Sequence, residues 1–353
     1  MHMADALISP AVGGTMWAAT AGLTVYSAKK LKENLDEHKV PLMGVLGAFI
    51  FAAQMINFTI PATGSSGHLG GGMILAILLG PYAAFLVMAS VLTIQALFFA
   101  DGGLLALGCN IFNLGFFPCF IAYPFIYRKI VGEQPSPSRI LLGAMAAAIL
   151  SLQMGAFGVV SETLFSGISE LPFSTFVLLM LPIHLAIGVV EGLITTAVVS
   201  FVWKAHPEIL TPAPFSPAAR GHSHKPLLIG LALLAVAAGG MLSWFASTHP
   251  DGLEWSIKGA SGKEELEAPQ EGVHGTMAWI QEKLSFLPDY GFRKQEEEKG
   301  GKPGEEKGGK KEESWPDVSL GKSLAGILGA ALTLLLAGAI GLGLRKYYSP
   351  GKG

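Results

Sequence analysis

Uncharged apolar stretches alternate with short polar or basic ones along almost the whole chain. They run at residues 10–28, 41–60, 69–100, 102–127, 140–161, 171–190, 226–248 and 323–344. About 20 apolar residues in a helix cross a hydrocarbon core about 30 Å thick, so these stretches are predicted to span a membrane. The run at 69–100 is too long for one span, and Gly80-Pro81 lies near its middle. Proline lacks the N–H that the helical ladder needs and clashes with the preceding turn. The run therefore divides into a short helix, 70–80, and a longer one, 82–100. The expected fold is an all-α membrane protein with nine transmembrane helices.

Basic residues beside spans mark the cytoplasmic side. Four clusters qualify: Lys29, Lys30, Lys32 and Lys39; Arg128, Lys129 and Arg139; Lys204, Arg220 and Lys225; and Arg345, Lys346 and Lys352. With nine spans all four fall on one side, which puts the amino terminus outside and the carboxyl terminus in the cytoplasm. The loops at 61–69, 101–103 and 161–172 then face outward, and none contains Lys or Arg. The expected location is a prokaryotic cell (inner) membrane, crossed many times. The stretch 206–225, rich in proline and polar residues, is a cytoplasmic linker between a seven-span domain at 1–205 and a two-span domain at 226–353. A long external loop, 248–318, separates the last two spans, and its low-complexity part, 295–313, is expected to be disordered.

Composition agrees with the pattern. The chain has 353 residues, 51% hydrophobic and 14% charged, against roughly a quarter charged for a soluble domain. A net charge of −2 gives no basis for a nucleic-acid partner. Two cysteines, Cys109 and Cys119, exclude a disulfide scaffold and a cysteine-rich metal site. No basic segment followed by an apolar core and a cleavage site opens the chain, so the mature protein is expected to begin at Met1. The stretch Leu320 to Ser323 resembles the end of a phosphate loop, but Pro316 stands where that motif needs glycine. There is no H-E-x-x-H either, so the chain is expected to be no enzyme and to have no ATPase of its own.

The first residues, "MHMADALISP", offer chelate chemistry. The terminal amine of Met1 and the amide nitrogen of His2 close a five-membered ring on a cation. The same amide and the His2 imidazole close a six-membered ring. Three nitrogens then lie in one plane and a fourth corner stays open. His68, in the glycine loop "TGSSGHLGGG" on the same outer side, is the candidate for that corner. Planar four-nitrogen coordination suits Ni(II) or Cu(II), whereas Zn(II) prefers a tetrahedron and Ca(II) and Mg(II) prefer oxygen. The site thus predicts Ni(II) as a transported ligand, with Co(II) a second choice if the site relaxes, and no cofactor. Asp5, Asn57, Thr63, Ser65 and Ser66 are placed to hydrogen-bond to the ligands.

Other residues carry weaker signals. His184 and Glu191 share one face of the seventh span, and ionisable groups inside a membrane are functional by default. Glu191 is otherwise expected near the headgroups or paired with His184. Asp101, Asn110, Asn113 and Glu162 gather at outer span ends, where capping is the commoner role. His249 and His274 could collect metal on the long loop, while the histidines at 222 and 224 fall in the linker. Gly13, Gly14, Ala18, Ala19, Ala21 and Gly22 give the first span a small-residue face, expected to pack inside the domain, with docking of a partner membrane subunit as the alternative.

The stretches "MHMADALISP", "GSSGHLGGGMILAILLGPYAA" and "LFFADGGLLALGCNIFNLG" resemble the CbiM/NikM family over about residues 1–205. These are substrate-binding (S) components of energy-coupling-factor transporters for cobalt and nickel. Ala6 follows Asp5 here, where the family usually has glycine. The resemblance implies metal ligation by the Met1 amine, the His2 amide and imidazole, and the loop histidine matching His68. It implies partners too: a coupling transmembrane (T) subunit and ATP-binding subunits, which supply the energy. The alternative of another class is a stand-alone secondary metal transporter, which calls for inverted repeats and midplane carboxylates; no clear repeat is present and Glu191 is the one candidate carboxylate. "PDGLEWS" and "LPDYGF" resemble the two-span PDGLE accessory component of nickel systems, NikN, here fused to the first domain.

Overall fold

The computed structural model describes residues 2–33, 39–210, 225–263, 266–293 and 315–346. Met1, most of the linker and the low-complexity stretch at 295–313 lie outside the described residues. The protein is mostly helical and is a multi-pass membrane protein. The exception is one hairpin, β1 (Phe58–Ile60) paired antiparallel with β2 (Ser65–Gly67).

The helices follow the apolar pattern, with differences that sequence periodicity could not set. α1 covers Pro10–Glu33 and α2 covers Val40–Gln54. α2 ends short of the expected boundary at 60, and three residues separate it from β1. α3 (Gly72–Leu79) and α4 (Pro81–Phe99) are divided where proline requires it, with Gly80 at φ 84° between them. Eight residues make a helix of about 12 Å, so α3 alone is too short to cross. α5 (Leu107–Ile111), a π-helical stretch (Phe112–Tyr127) and α6 (Arg128–Val131) form one continuous rod, whose wide middle carries Pro118 and Pro124. α7 (Pro137–Ser166) and α8 (Phe173–Ala205) form the longest antiparallel pair. α9 covers Lys225–Gly240. Two helices absent from the sequence-based expectation, α10 (Gly252–Ser261) and α11 (Gly272–Leu284), lie in the long loop before the last helix. α12 (Leu320–Lys346) is last. Among the described residues five helical segments are long and apolar enough to cross a membrane, fewer than the nine expected: Pro81–Phe99, Leu107–Val131, Pro137–Ser166, Phe173–Ala205 and Leu320–Lys346. α2 and α9 are apolar but shorter.

The core lies around α2, α3 and α4, with Phe51, Phe85, Phe99 and Phe176 fully buried. Met3, Leu7 and Ile8 are also buried, so the amino-terminal segment threads into this core rather than lying on it. α12 packs along α2, and α9 packs against both, so the two C-terminal membrane helices share a seam with the N-terminal bundle. The small-residue face of α1 does not pack inward as expected. Gly13 is buried against Leu105, but Gly14, Ala18, Ala19, Ala21 and Gly22 are exposed.

Candidate metal centre

Two chain segments far apart in sequence carry the candidate histidines, and each is pinned by backbone contacts. The amino-terminal segment runs beside residues 102–110. The Met3 N–H donates to Asn110 Oδ1 at 2.8 Å, and Asn110 Nδ2 donates to Met3 O at 3.2 Å. Gly103 N–H also donates to Met3 O, at 2.9 Å. Asp5 Oδ1 accepts from Ala106 N–H at 2.9 Å. A side chain on Gly103 would collide with Asp5, so glycine is required there by close approach.

His68 follows β2 directly. The hairpin before it packs on α8, where Ile187 Cγ1 lies 2.5 Å from the place a Cβ on Gly67 would take. The loop after it is held from two sides. Glu191 Oε2 accepts from Gly70 N–H at 2.9 Å and Oε1 from Gly71 N–H at 3.1 Å. Gln54 Nε2 donates to Gly70 O at 2.9 Å, and Gln95 Nε2 donates to Gln54 Oε1 at 2.9 Å. Glu191 is therefore bonded to the loop backbone rather than paired with His184, whose Nδ1 bonds Met180 O.

These anchors bring the two imidazoles together. The His2 and His68 rings stand 5.0 Å apart, centroid to centroid, with planes 3° from parallel. His68 Nδ1 lies 3.1 Å from Leu69 O, an acceptor, so Nδ1 holds the proton and Nε2 keeps its lone pair. Burial pushes the His68 imidazole down to about 3, against the raising pull of Asp251 and Asp101, so the ring is neutral at ordinary pH. Each ring faces a carboxylate: His2 Nδ1 is 3.1 Å from Asp101 Oδ1, and His68 Nε2 is 3.9 Å from Asp251 Oδ2. Burial works to raise both carboxyls. For Asp101 the His2 ring and the Tyr290 hydroxyl outweigh it, and for Asp251 the His68 ring and the Glu254 N–H help do so. Both acids lie below the ordinary carboxylate range. His2 Nε2 is buried and has no hydrogen-bond partner among the described residues.

The loop between α9 and α12 folds over this site. Ser66 N–H donates to Pro250 O at 2.8 Å, Ser66 Oγ to His249 O at 2.8 Å, and Trp255 Nε1 to Thr63 O at 3.0 Å. α11 is tied down by His274 Nε2, 2.9 Å from Ile8 O, and by Gln281 Nε2, 2.7 Å from Gly102 O. His274 is thus a buried tether, not the exposed metal collector expected. A cavity of about 600 Å³ remains beneath the loop, with His2, His68, Asp5, Asn57, Asp101 and Asp251 in its wall.

The hydrogen bonds seen for the polar residues expected to support the ligands go elsewhere. Asp5 holds the 103–106 turn, Thr63 shapes the hairpin through Ile60 O and Ser65 N–H, and Ser65 and Ser66 tie the hairpin to residues 249–250. Asn57 accepts the Ser247 N–H through its backbone. Asp251 and Tyr290 were missed by sequence reasoning. Asp251 had one readable sign, the D-x-x-E spacing of a capping box, which the structure contains at the start of α10. Among the described residues no three His, Cys, Asp or Glu side chains are arranged around a common metal position.

Several helices long and apolar enough to cross a bilayer, with a polar loop packed over one end, define a multi-pass membrane protein. The chain belongs to the CbiM family, the cobalt uptake substrate-specific transmembrane region, which matches residues 2–209. The PDGLE domain matches residues 225–346. A putative fused nickel transport protein, NikMN, of Archaeoglobus fulgidus is 37% identical over 60% of this chain and 68% of its own length. The fused nickel transport protein NikMN of Rhodobacter capsulatus is 32% identical over 82% of this chain and 88% of its own. A crystal structure of a transition metal transporter superposes with a TM-score of 0.53 at 32% identity, covering 63% of this chain and all of that one. Membership in this family places the chain among metal transport proteins.

Proposed function

We propose that the chain captures Ni(II) outside the cell as the substrate-binding component of an energy-coupling-factor transporter. The ligands are the Met1 amine, the His2 amide nitrogen and imidazole, and the His68 imidazole. The observation that carries this reading is the approach of the two rings across 66 positions of sequence to 5.0 Å. The rings are stacked and parallel at that distance, so one of them must turn before both imidazoles reach adjacent corners of a square around a single cation. The His68 tautomer supports the same reading, since it leaves Nε2 as the ligating atom. Chelation through His2 Nδ1 requires Asp101 to give up its contact, and the carboxylate then remains beside the cation as a counter-charge. Four nitrogens in a plane favour Ni(II), and two of the similar proteins are named for nickel transport.

The proposal includes nine crossings, the amino terminus and the roofed site outside, and a seven-span unit at 1–205 joined by a linker at 206–225 to a two-span unit at 226–353. The basic clusters on one side support this orientation. Energy comes from a coupling membrane subunit and ATP-binding subunits.

Acetylating the terminal amine of the purified full chain tests the ligand set. Calorimetric titration with Ni(II) is expected to show loss of tight binding, and His68→Ala a large weakening. Unchanged affinity in the acetylated protein would exclude the amine. Cobalt uptake is a second reading, favoured by the family's description. Competition between Ni(II) and Co(II) for the purified chain separates the two.

A further inference from the structure

α8 lies along the whole segment that carries His68. Ile183, His184, Ile187 and Glu191 share one face at helical spacing, and that face meets the loop and its roof in order. Ile183 and His184 lie against Gly252, and Ile187 against Gly67. One turn further along, Glu191 receives the N–H groups of Gly70 and Gly71, one on each carboxylate oxygen.

Glu191 is 1% exposed. A carboxylate inside a membrane bundle is expensive unless its oxygens are satisfied, and here the loop backbone satisfies them. Both glycines fit this contact. A Cβ on Gly70 would fall 2.8 Å from Glu191 Oε2, and Gly71 sits at φ 78°, where other residues are strained. Gln54 grips Gly70 from α2 on the other side. The backbone two positions beyond His68 is thus clamped between two membrane helices.

We propose that Glu191 is a positioning residue for metal binding. By holding Gly70 and Gly71 it fixes the loop so that His68 stands opposite His2. Glu191 does not touch the cation. The proposal rests on the reading of His68 as a ligand.

The test is a double-mutant cycle on the full chain in detergent: Ni(II) affinity for the parent, Glu191→Gln, His68→Ala and the double variant. Glutamine keeps the shape but offers one acceptor, and its amide group meets the second glycine N–H as a donor. Glu191→Gln is expected to weaken binding about tenfold, the effect of losing a charge-assisted hydrogen bond. It should also shift the ligand-field absorption of bound Ni(II) toward that of His68→Ala. In the His68→Ala background it should change nothing further. Gly70→Ala probes the same contact from the loop side and should behave as Glu191→Gln does. Binding by Glu191→Gln within about twofold of the parent would overturn the proposal. So would an equal weakening with and without His68, which marks a general packing role. Parent-like affinity in His68→Ala would sink the ligand assignment itself, and this proposal with it.

Discussion

Asn110→Ala tests whether the seat of the amino-terminal segment matters for binding. Asn110 is buried and acts like a strand partner for Met3, accepting its N–H at 2.8 Å and donating to its carbonyl at 3.2 Å. Truncation affects the two groups differently. The Met3 carbonyl keeps the Gly103 N–H at 2.9 Å. The Met3 N–H loses the acceptor seen in the structure, and stranding a buried donor costs about 2 kcal/mol. The hydrogen bonds of Asn110 go to the Met3 backbone, so the cost falls on seating residues 2 and 3. If binding requires that seating, the Ni(II) dissociation constant rises by up to roughly thirtyfold. The assay is calorimetric titration of the full chain, with hydrogen exchange at the Met3 amide as an independent measure of seating. Faster exchange with affinity within about twofold of the parent would refute the reasoning, because it would separate the seat from the site.

Three further outcomes are expected. Gly67→Ala puts a Cβ 2.5 Å from Ile187 Cγ1, so it should displace the His68 hairpin and weaken metal binding. Adding Ile187→Ala should restore most of the loss, and absence of recovery would argue against a steric cause. Asp251→Ala removes the acceptor for the Leu253 and Glu254 N–H groups at 2.8 and 2.9 Å, a loss of about 1 kcal/mol of capping. Hydrogen exchange should quicken across 252–261, whereas Asp251→Asn should retain most protection. Metal binding should weaken as pH falls from about 8 to about 6, because the terminal amine and the amide must lose protons to the cation. His68 is already neutral across that range, its pKa held at about 3 by burial, so it releases no proton, and His68→Ala should leave the slope of affinity against pH unchanged.

The helical character, the break at Pro81 and the positions of the long apolar rods were legible in the sequence. A bilayer demands continuous apolar length, and proline interrupts a hydrogen-bond ladder wherever it falls. Both effects are local, so each leaves its mark on adjacent residues. The two histidines could also be singled out, because chelate rings at a chain start depend only on neighbouring atoms. What only the tertiary structure decided lies across long sequence separations: Asn110 against Met3, Glu191 against Gly70, Asp251 beside His68, and the folding of α10 and α11 over the site. The polar side chains in these contacts have no periodicity that names a partner. Glu191 read from sequence was an intramembrane acid with a candidate functional role, or one near the headgroups or paired with His184, and only the glycine loop beside α8 shows what its oxygens accept.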